Sequence, residues 1–447
     1  MIVIGGGPAG IATAIALVRL GRSVVVLERS RYERPRAGET FSGEVGPQLQ
    51  ALGAWDDFQA LAPIPFRAVQ SAWGGSDLTE HASIFRPFGD GWHVDRATFD
   101  HMLAGVAARA GVVVELGTGA CTVERLDDRW RVTPVVGTVV TARFLIDASG
   151  RGAPATIDHV PPRRWLRADR QLAVVGKLRD PTTPLEPVLL LESVEDGWWY
   201  SAPQPDGELL VVLITDADLY PVRGRSARAT EFQARVTRSL HTAARAAGAT
   251  MSGPPWIGRC DSGLLLPDRG PGWRAIGDAA MACDPLAGDG VYRALRDGLA
   301  VAPEIDRALA DPEAPVDAAT LPERFRAYLE IRGRYYEREP RWPDALFWAR
   351  RRPIDVAAAS VFLDPRSLLR WDGAPLDRAR IAPVEALIPF YALRLVLGRL
   401  RQPTPAHEAL GLLRAEAPVG DRRLLVGLQL LLSLGCIAIA DPAPTSG

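Results

Sequence analysis

The chain has almost no lysine. Lys177 is the only one, so arginine supplies nearly all of the basic charge. The 52 basic and 53 acidic residues give a formal net charge of −1, and this balance gives no indication of a nucleic-acid-binding surface. Cysteine is also scarce, and the four residues form no CxxC pair and no metal-ligand spacing with the six histidines; they are Cys121, Cys260, Cys283 and Cys436. This pattern predicts no metal site and is typical of a reducing cytoplasm.

Long hydrophobic runs are missing as well. The most apolar stretch, residues 424–440, spans about 17 residues and contains Gln429, whereas a membrane-spanning helix needs about 20 apolar residues. We therefore predict a buried or surface-docked helix there and no membrane span. A first β-strand predicted to begin at Met1 leaves no room for a signal peptide, so we expect a cytoplasmic protein.

The length and the periodic patterns indicate a multidomain globular protein. The 447 residues predict roughly two to three domains at about 150 residues each. Apolar runs over 170–215 are typical of β-strands, and one helix is predicted over 227–246. From about residue 320 onward, the pattern predicts helices separated by proline-rich breaks.

The opening sequence MIVIGGGPAG carries the clearest motif. An apolar run meets Gly5, Gly7 and Gly10, which have the spacing GxGxxG, and a helical pattern follows to about Leu20. A second apolar run ends in Glu28, 18 residues after Gly10. Gly5 allows a tight turn, Gly7 lets the backbone approach a pyrophosphate, and Gly10 lets the helix pack close to the strand. Because the helix N-terminus favours phosphate and Glu28 is placed to accept hydrogen bonds from a ribose, the segment matches the dinucleotide-binding fingerprint.

Two further motifs follow in order along the chain. FLIDASGRGAP at 144–154 is an apolar strand that ends in Asp147, and AIGDAAMACDPLAGDGVYRAL covers 275–295. Together with GGGPAG and Glu28, these motifs resemble the group A flavoprotein fold that aromatic hydroxylases, flavin-dependent halogenases and related FAD oxidoreductases share. The resemblance covers about residues 1–310. It implies an α/β fold with a Rossmann-like FAD-binding domain, as in para-hydroxybenzoate hydroxylase, a β-sheet substrate domain and a C-terminal helical cap.

The resemblance implies FAD as the cofactor and spreads its contacts over several segments. Asp278 would accept hydrogen bonds from the flavin ribityl chain, with a plain helix cap as the alternative. The segment DPLAGDG at 284–290 would lead into a helix aimed at the isoalloxazine, where Gly288 and Gly290 let the backbone approach the ring. The full set of predicted FAD-binding residues is Gly5, Gly7, Pro8, Ala9, Gly10, Glu28, Arg29, Arg36, Glu39, Arg96, Asp147, Gly277, Asp278, Pro285, Gly288 and Gly290.

The implied domains are discontinuous. We expect the FAD-binding domain at 1–66, 88–168 and 256–311, the substrate domain at 67–87 and 169–255, and the helical cap at 312–447. The arginine-rich and apolar helices of the cap leave two interpretations open. They form an intramolecular lid, or they dock a protein or carrier-bound substrate, in which case the chain acts mainly as a maturation partner.

Finer details resemble the halogenase-like branch, which includes the flavoprotein maturases of tryptophylquinone enzymes. These details are RAGET at 36–40, SAWGG at 71–75, GWHVDR at 91–96 and DPLAGDG at 284–290. GWWYSAP at 197–203 partly matches the halogenase signature WxWxIP, since Trp198 and Pro203 agree whereas Tyr200 and Ala202 differ.

The scarcity of lysine favours hydroxylation over halogenation among the activities of this branch. Halogenases of this fold use an early lysine near the substrate, but residues 1–176 contain none, and arginine does not supply an amine. We therefore predict hydroxylation of an electron-rich aromatic, of indole, tryptophan or phenol type. Flavin-linked dehydrogenation or reduction and, less favoured, FADH₂-dependent halogenation stay open as alternatives.

The resemblance implies that reduced flavin and O₂ form a C4a-hydroperoxide whose terminal oxygen attacks the aromatic ring. The protein must keep this adduct dry, and an apolar, aromatic pocket would do so. The aromatic residues that could line such a pocket as a group, although each also fits a plain core position, are Trp73, Trp92, Trp198, Trp199 and Tyr200. The candidates for a catalytic role are His93, which could act as a base, Trp198 and Tyr200. Because no second GxGxxG is present, the electron donor is either transiently bound NAD(P)H or a partner flavin reductase.

Overall fold

The computed structural model describes most of the chain and divides it into two compact units. The described residues are 1–36, 38–83, 86–152, 156–158, 163–310, 320–352, 363–377, 381–385, 387–417, 419 and 421–440. The first unit comprises Met1–Trp165, Gln171–Val194 and Trp198–Ala319. The second comprises Leu166–Arg170, Glu195–Gly197 and the described residues from Thr320 onward.

The first unit is built on a six-stranded, mainly parallel sheet. In spatial order its strands are Arg269–Gly270, Trp273–Ala275, Leu145–Asp147, Ile2–Ile4, Val25–Glu28 and Val113–Leu116. Ile2 pairs in parallel register with Leu145 on one side and Val25 on the other. The central strands are buried apolar runs, as expected for a parallel sheet covered on both faces. The strand–helix–strand unit over the first 28 residues is therefore Rossmann-like, which confirms the predicted fold.

The first unit also contains a second, larger sheet of eight strands. Its strands in spatial order are Thr250–Met251, Gln171–Arg179, Leu209–Asp216, Gly197–Pro203, Leu189–Val194, Ala68–Ala72 and Thr79–Ala82, with Trp256–Arg259 also paired to Gln171–Arg179. Strands from both predicted parts of the substrate domain thus pair in one sheet. The domain boundaries themselves stay a prediction.

Smaller sheets and the helices complete the first unit. The remaining strands are Thr40–Phe41, Ile64–Phe66, Gly91–His93, Cys121–Leu126, Arg129–Pro134, Val140–Ala142, Thr156–Asp158, Arg164–Arg167, Gly263–Leu266 and Met281–Ala282. The helices are Pro8–Arg19, Val45–Leu52, Trp55–Ala60, Arg96–Arg109, Arg225–Arg238, His241–Arg245 and Gly290–Ala310.

The helices Pro8–Arg19 and Gly290–Ala310 pack closely in the core of the first unit. A Cβ atom added at Gly298 would lie 2.7 Å from the Ala9 carbonyl oxygen, so the absence of a side chain sets the spacing. The Thr13 hydroxyl donates a hydrogen bond to the Gly298 carbonyl oxygen at 3.0 Å. This packing fixes the start of the later helix against the glycine-rich turn, and both border the cavity described below.

The single helix predicted over 227–246 is wrong, because the chain forms two helices that meet at Ser239. Ser239 adopts an extended backbone with ψ near 161°. The buried carboxylate of Glu192 then accepts hydrogen bonds from the amides of Leu240 at 2.6 Å and Thr242 at 2.7 Å. An acceptor almost fifty residues away therefore caps the second helix, and no local pattern around Ser239 signals it.

The second unit has its own apolar core and is mainly helical, as predicted. Its helices are Leu321–Glu337, Leu346–Ala349, Ala382–Glu385, Phe390–Arg399, Ala406–Glu416 and Asp421–Ser433. It also contains a small antiparallel sheet that sequence analysis missed, formed by Thr404–Pro405, Leu368–Arg370 and Ala438–Ile439. The first part of the apolar stretch lies in the helix Asp421–Ser433, with buried Leu424, Leu428 and Leu431, and its last part contains the strand Ala438–Ile439. None of the helices in the described part of the chain has the length and apolar content needed to cross a bilayer.

Candidate functional site

A cavity of about 410 Å³ lies inside the first unit. This volume falls within the range of roughly 300–1,000 Å³ that small-molecule sites occupy. One wall consists of the start of the helix Pro8–Arg19, the loop before strand Thr40–Phe41, the start of the helix Arg96–Arg109 and the segment 283–294. The opposite wall comes from the eight-stranded sheet.

The three glycines of the opening turn have different surroundings. A Cβ atom at Gly5, which has φ +108°, would lie 2.3 Å from the Ala148 carbonyl oxygen, and one at Gly10 would lie 2.1 Å from the Gly5 carbonyl oxygen. No atom lies within 4 Å of a Cβ atom built on Gly7, which borders the cavity with Pro8 and Ala9. Gly5 and Gly10 are therefore required by packing within the protein, and Gly7 leaves room for a ligand.

The helix that starts at Pro8 presents an open N-terminus to the cavity. Its N-cap residue Gly7 makes no side-chain cap, and its first turn contains no acidic residue. The first N–H groups of such a helix carry a partial positive charge and favour an anion. This geometry fits a phosphate or pyrophosphate group.

The carboxylate of Glu28 is engaged behind the glycine turn. It accepts hydrogen bonds from the amide of Gly6 at 2.8 Å and from Arg36 at 3.0 Å. Arg36 also contacts the buried Asp100 at 2.8 Å and lines the cavity, whereas Glu28 does not. The Arg29 side chain is exposed and does not line this cavity. Contacts of Glu28 and Arg29 with a cofactor therefore stay predictions.

Arg96 is the first residue of the helix Arg96–Arg109, which follows the motif GWHVDR. The Asp95 carboxylate caps this helix by accepting from the amide of Thr98 at 2.7 Å. Arg96 lines the cavity and is held by Asp100 at 3.1 Å and by the Gly38 carbonyl oxygen at 3.2 Å. Arg96 is therefore a largely buried part of the cavity wall and not an exposed surface residue.

Asp278 borders the cavity, whereas Asp147 does not. Asp278 accepts a hydrogen bond from Arg151 Nε at 2.9 Å, and its other oxygen lies 3.9 Å from Arg293. Asp147 is fully buried, and its carboxylate binds the amide of Ser149 and Arg163 at 3.1 and 3.0 Å. The structure thus places the Asp147 carboxylate in contacts within the protein at the end of its strand, and its contact with a cofactor stays a prediction.

The segment around Gly277 approaches the first helix closely. Gly277 has φ +55°, and a Cβ atom there would lie 2.7 Å from Ala9 Cβ. Gly277 therefore allows close packing but does not itself line the cavity.

The following turn leaves open space at its glycines. Asp284 caps it by accepting from the amide of Leu286 at 2.8 Å, and Pro285 lines the cavity. Gly288 has φ +62°, and no atom lies within 4 Å of a Cβ atom built on Gly288 or Gly290, both of which line the cavity. A planar ring could approach this backbone closely, so the turn fits the predicted isoalloxazine position.

The opposite wall is apolar and aromatic. Leu189, Leu191, Trp198, Tyr200 and Ile214 project from the large sheet into the cavity. Side chains alternate along a strand, so the residue between Trp198 and Tyr200 faces the other way.

The other tryptophans lie in packing positions. Trp199 packs edge-on against Phe232 with ring centroids 5.5 Å apart. Trp92 packs against Trp55 in the core of the first unit at 5.7 Å, and Trp73 contacts Trp198 at 6.2 Å without lining the cavity. Of the candidate aromatic residues, only Trp198 and Tyr200 border the cavity.

His93 lies behind the cavity wall. Its ring is fully buried and stacks on Phe66 at 4.8 Å, and its Nδ1 atom is 3.0 Å from the Thr40 hydroxyl. Burial lowers the pKa of His93 to about 3, so the imidazole is neutral at physiological pH. Because His93 does not border the cavity, the structure gives no contact through which it could act as a base on a substrate.

A buried acid lies at the junction of the two walls. Glu39 is 4% exposed, and its carboxylate accepts a hydrogen bond from the amide of Gly38 at 2.7 Å. Tyr200 also borders the cavity and lies close enough for the charge of Glu39 to act on its hydroxyl. Burial raises the pKa of Glu39 to about 7, and the charge of Arg96 partly offsets this effect. Burial and the nearby Glu39 likewise raise the pKa of Tyr200.

Sequence analysis missed Arg151 and Arg293, which line the cavity beside Asp278. Both occur inside the quoted motifs, in GRGAP and VYRAL, but the motif letters alone do not show that they pair with Asp278. Arg293 also donates to the buried thiol of Cys283. Burial raises the pKa of Cys283 to about 11, so it is a neutral thiol near the cavity. Within the described residues, no cluster of His, Cys, Asp or Glu is arranged to hold a metal ion.

Taken together, the features of the cavity suit a phosphate group and a planar ring. The helix Pro8–Arg19 presents its open N-terminus to the cavity, and the Asp278 carboxylate borders it. The turn with Gly288 and Gly290 leaves space for a ring. Ten of the sixteen predicted FAD-binding residues border the cavity, namely Gly7, Pro8, Ala9, Arg36, Glu39, Arg96, Asp278, Pro285, Gly288 and Gly290.

Comparisons with known proteins agree with this geometry. The family described as FAD dependent oxidoreductase matches residues 1–163. LodB, an FAD-dependent oxidoreductase of Marinomonas mediterranea, is 31% identical over 365 residues, which cover 78% of this chain and 96% of LodB. A tryptophan 2-halogenase of Chondromyces crocatus is 28% identical over 348 residues, which cover 73% of this chain and 64% of the halogenase.

A solved structure extends the comparison to a larger share of the chain. The peptidyl tryptophan dihydroxylase QhpG, described as essential for tryptophylquinone cofactor biogenesis, matches with a TM-score of 0.63 and 28% identity. The match covers 84% of this chain and 84% of QhpG. The predicted resemblance to FAD oxidoreductases, with halogenases and a tryptophylquinone-maturing hydroxylase as neighbours, is confirmed.

Proposed function

The chain belongs to the FAD-dependent oxidoreductases, and from this premise we propose that it is a monooxygenase that hydroxylates an electron-rich aromatic ring. The proposed substrate is of indole, tryptophan or phenol type, either free or attached to a peptide or carrier protein. Bound FAD supplies the redox chemistry and the activation of O₂. The chain's own residues bind and orient the cofactor and substrate, exclude water and move protons.

We propose that three parts of the first cavity wall, which contains the helix starts and the segment 283–294, hold the cofactor. The open helix N-terminus after Gly7 would bind the pyrophosphate, since free N–H groups stabilise an anion there. Asp278 would accept hydrogen bonds from the ribityl hydroxyls. The backbone at Gly288 and Gly290 would face the ring, because no protein atom fills the space beside them.

The apolar wall is the observation that supports an oxygenase most directly. Leu189, Leu191 and Ile214 offer no hydrogen-bonding side chain, and Trp198 offers a broad aromatic surface. A cavity wall of this kind excludes water, and water would divert activated oxygen into hydrogen peroxide. It also fits a planar aromatic substrate.

The lysine distribution favours hydroxylation over halogenation. Lys177, the only lysine, is held by Asp206 at 2.9 Å and Glu208 at 3.3 Å and does not line the cavity. The chain therefore has no amine to direct a hypohalous acid at the substrate. The names of the tryptophan 2-halogenase and of QhpG both point to tryptophan, which supports an indole ring as the substrate class.

Product analysis tests the proposal. Purified, FAD-loaded protein is supplied with isotope-labelled O₂, chloride, and either NAD(P)H or a flavin reductase that delivers reduced flavin. The substrates are indole, tryptophan, a tryptophan-containing peptide and a phenol. We expect mass spectrometry to show one labelled oxygen atom gained per turnover, and the comparison of the two donors identifies the reductant.

Each alternative activity has its own product. Replacement of a ring hydrogen by chlorine would establish a halogenase, and loss or gain of hydrogen without labelled oxygen would establish a dehydrogenase or reductase. Product from the peptide but not from free tryptophan would favour a docked protein substrate. Either of the first two results would refute the proposed hydroxylation.

A further inference from the structure

Glu39 and Tyr200 border the same cavity from different elements of the first unit. Glu39 directly precedes the short strand Thr40–Phe41. Tyr200 lies in strand Gly197–Pro203 of the eight-stranded sheet. Both residues border the cavity, and the charge of Glu39 acts on the Tyr200 hydroxyl. The amide of Gly38 fixes the carboxylate at 2.7 Å, so the acid is held in place from its own loop.

The charges around this pair are few. Arg96 faces Glu39 from the start of its helix, but it is also held by Asp100 and the Gly38 carbonyl oxygen. Lys177 acts from the large sheet, where two carboxylates already neutralise its charge. Cys260, from the segment after strand Trp256–Arg259, is the other titratable group beside Tyr200. Burial outweighs these charges and brings the pKa of Glu39 to about 7.

We infer that Glu39 and Tyr200 form a proton-transfer pair that acts on the hydroxyl or ring N–H of the aromatic substrate. This inference rests on the proposed function. As the ring is attacked, the substrate O–H or N–H bond breaks and its electron pair stays on the aromatic system. The proton passes to the Tyr200 oxygen while the Tyr200 proton passes to the Glu39 carboxylate, and Glu39 later returns its proton to solvent.

The pair provides the proton acceptor that the chemistry needs. Withdrawing a proton from a phenol or indole increases electron density on the ring and makes it a better nucleophile. General acid–base catalysis of this type contributes roughly 10²–10⁴-fold, and it works best when the pKa of the acid or base lies near the operating pH. His93, the sequence candidate for a base, does not border the cavity.

The pH dependence has a definite sign. Glu39 can accept a proton only when it is ionised, so turnover of a phenol or indole should rise as the pH increases through about 7, where Glu39 loses its proton. Glu39→Gln should lower kcat about a hundredfold, with little change in KM, and should abolish this rise. Tyr200→Phe should also lower kcat but leave Glu39 free to titrate.

The test measures kcat and KM for a phenol and for indole from pH 5 to 9 in FAD-loaded native protein, Glu39→Gln and Tyr200→Phe. Tyr220→Phe is the matched control, because Tyr220 is a buried tyrosine of the same unit that does not line the cavity. Infrared difference spectra of the same samples should show a carboxyl band that titrates near pH 7 and is missing only in Glu39→Gln. The FAD content of each variant is measured, so that a loss of cofactor is not mistaken for a loss of proton transfer.

The outcomes separate the two proposals. Hydroxylation with unchanged kcat and pH profile in both variants would overturn the proton-transfer pair and leave the proposed function intact. A carboxyl band that titrates below pH 5 would overturn it as well. Failure of the native protein to insert oxygen into any substrate would instead refute the proposed function, and with it this inference.

Discussion

Replacing Gly7 by alanine should yield a folded protein that has lost most of its FAD, whereas the same change at Gly10 should destabilise the fold. A Cβ atom at Gly7 meets no protein atom within 4 Å and enters the space reserved for the pyrophosphate. Crowding of this kind costs about 1–3 kcal/mol, which corresponds to roughly 10- to 100-fold weaker binding. The free energy of unfolding of the apoprotein should change by less than about 0.5 kcal/mol.

At Gly10, the added Cβ atom lies 2.1 Å from the Gly5 carbonyl oxygen. Alanine gains about 1 kcal/mol in helix propensity over glycine. The contact is with backbone rather than with a flexible side chain, so the strand and helix must separate. We expect a net loss of about 2 kcal/mol or more in the free energy of unfolding.

Denaturant unfolding of the apoproteins and fluorescence titration with FAD measure both effects. The two variants carry the same chemical change three residues apart in one turn, and each serves as the control for the other. Native-like FAD affinity in Gly7→Ala would show that the cofactor does not approach this backbone. A Gly10→Ala apoprotein as stable as the native one would contradict the packing role of Gly10.

The same turn shows why part of the site is predictable from the sequence. The GxGxxG spacing is local. The space available at each glycine is set by residues within about ten positions along the chain or by the neighbouring strand. The carboxyl ends of parallel strands meet at one edge of the sheet, so the segment that follows the strand Trp273–Ala275 is expected close to this turn. These features depend on local spacing and on the parallel sheet, so the motif letters are sufficient to indicate them.

The charged contacts of the site were not predictable in the same way. Arg36 and Asp100 are 64 residues apart, and Arg151 and Asp278 are 127 residues apart. Such pairs depend on how loops of variable length fold over the sheet, which no periodic pattern encodes. The cap that Glu192 provides for the helix after Ser239 is another long-range contact, and it broke a helix that the local pattern predicted to continue.

Replacing Asp278 by alanine should release FAD while the protein stays folded. The carboxylate lies at the cavity and accepts from Arg151 at 2.9 Å, but its side chain is 36% exposed, so solvent screens the ion pair. An exposed pair of this kind contributes about 0–1 kcal/mol to stability. A hydrogen bond from a ribityl hydroxyl to the carboxylate is worth about 1.5–3 kcal/mol, so we expect roughly 10- to 100-fold weaker FAD binding.

Asp306→Ala is the matched control, because Asp306 forms a comparably exposed ion pair with Arg22 that does not border the cavity. It should lose no more stability than Asp278→Ala and should bind FAD like the native protein. Equilibrium FAD titrations and denaturant unfolding of both variants separate cofactor binding from folding. If Asp278→Ala kept its FAD, the carboxylate would serve only to position Arg151 and Arg293, and those two arginines would become the side chains through which this segment contacts the cofactor.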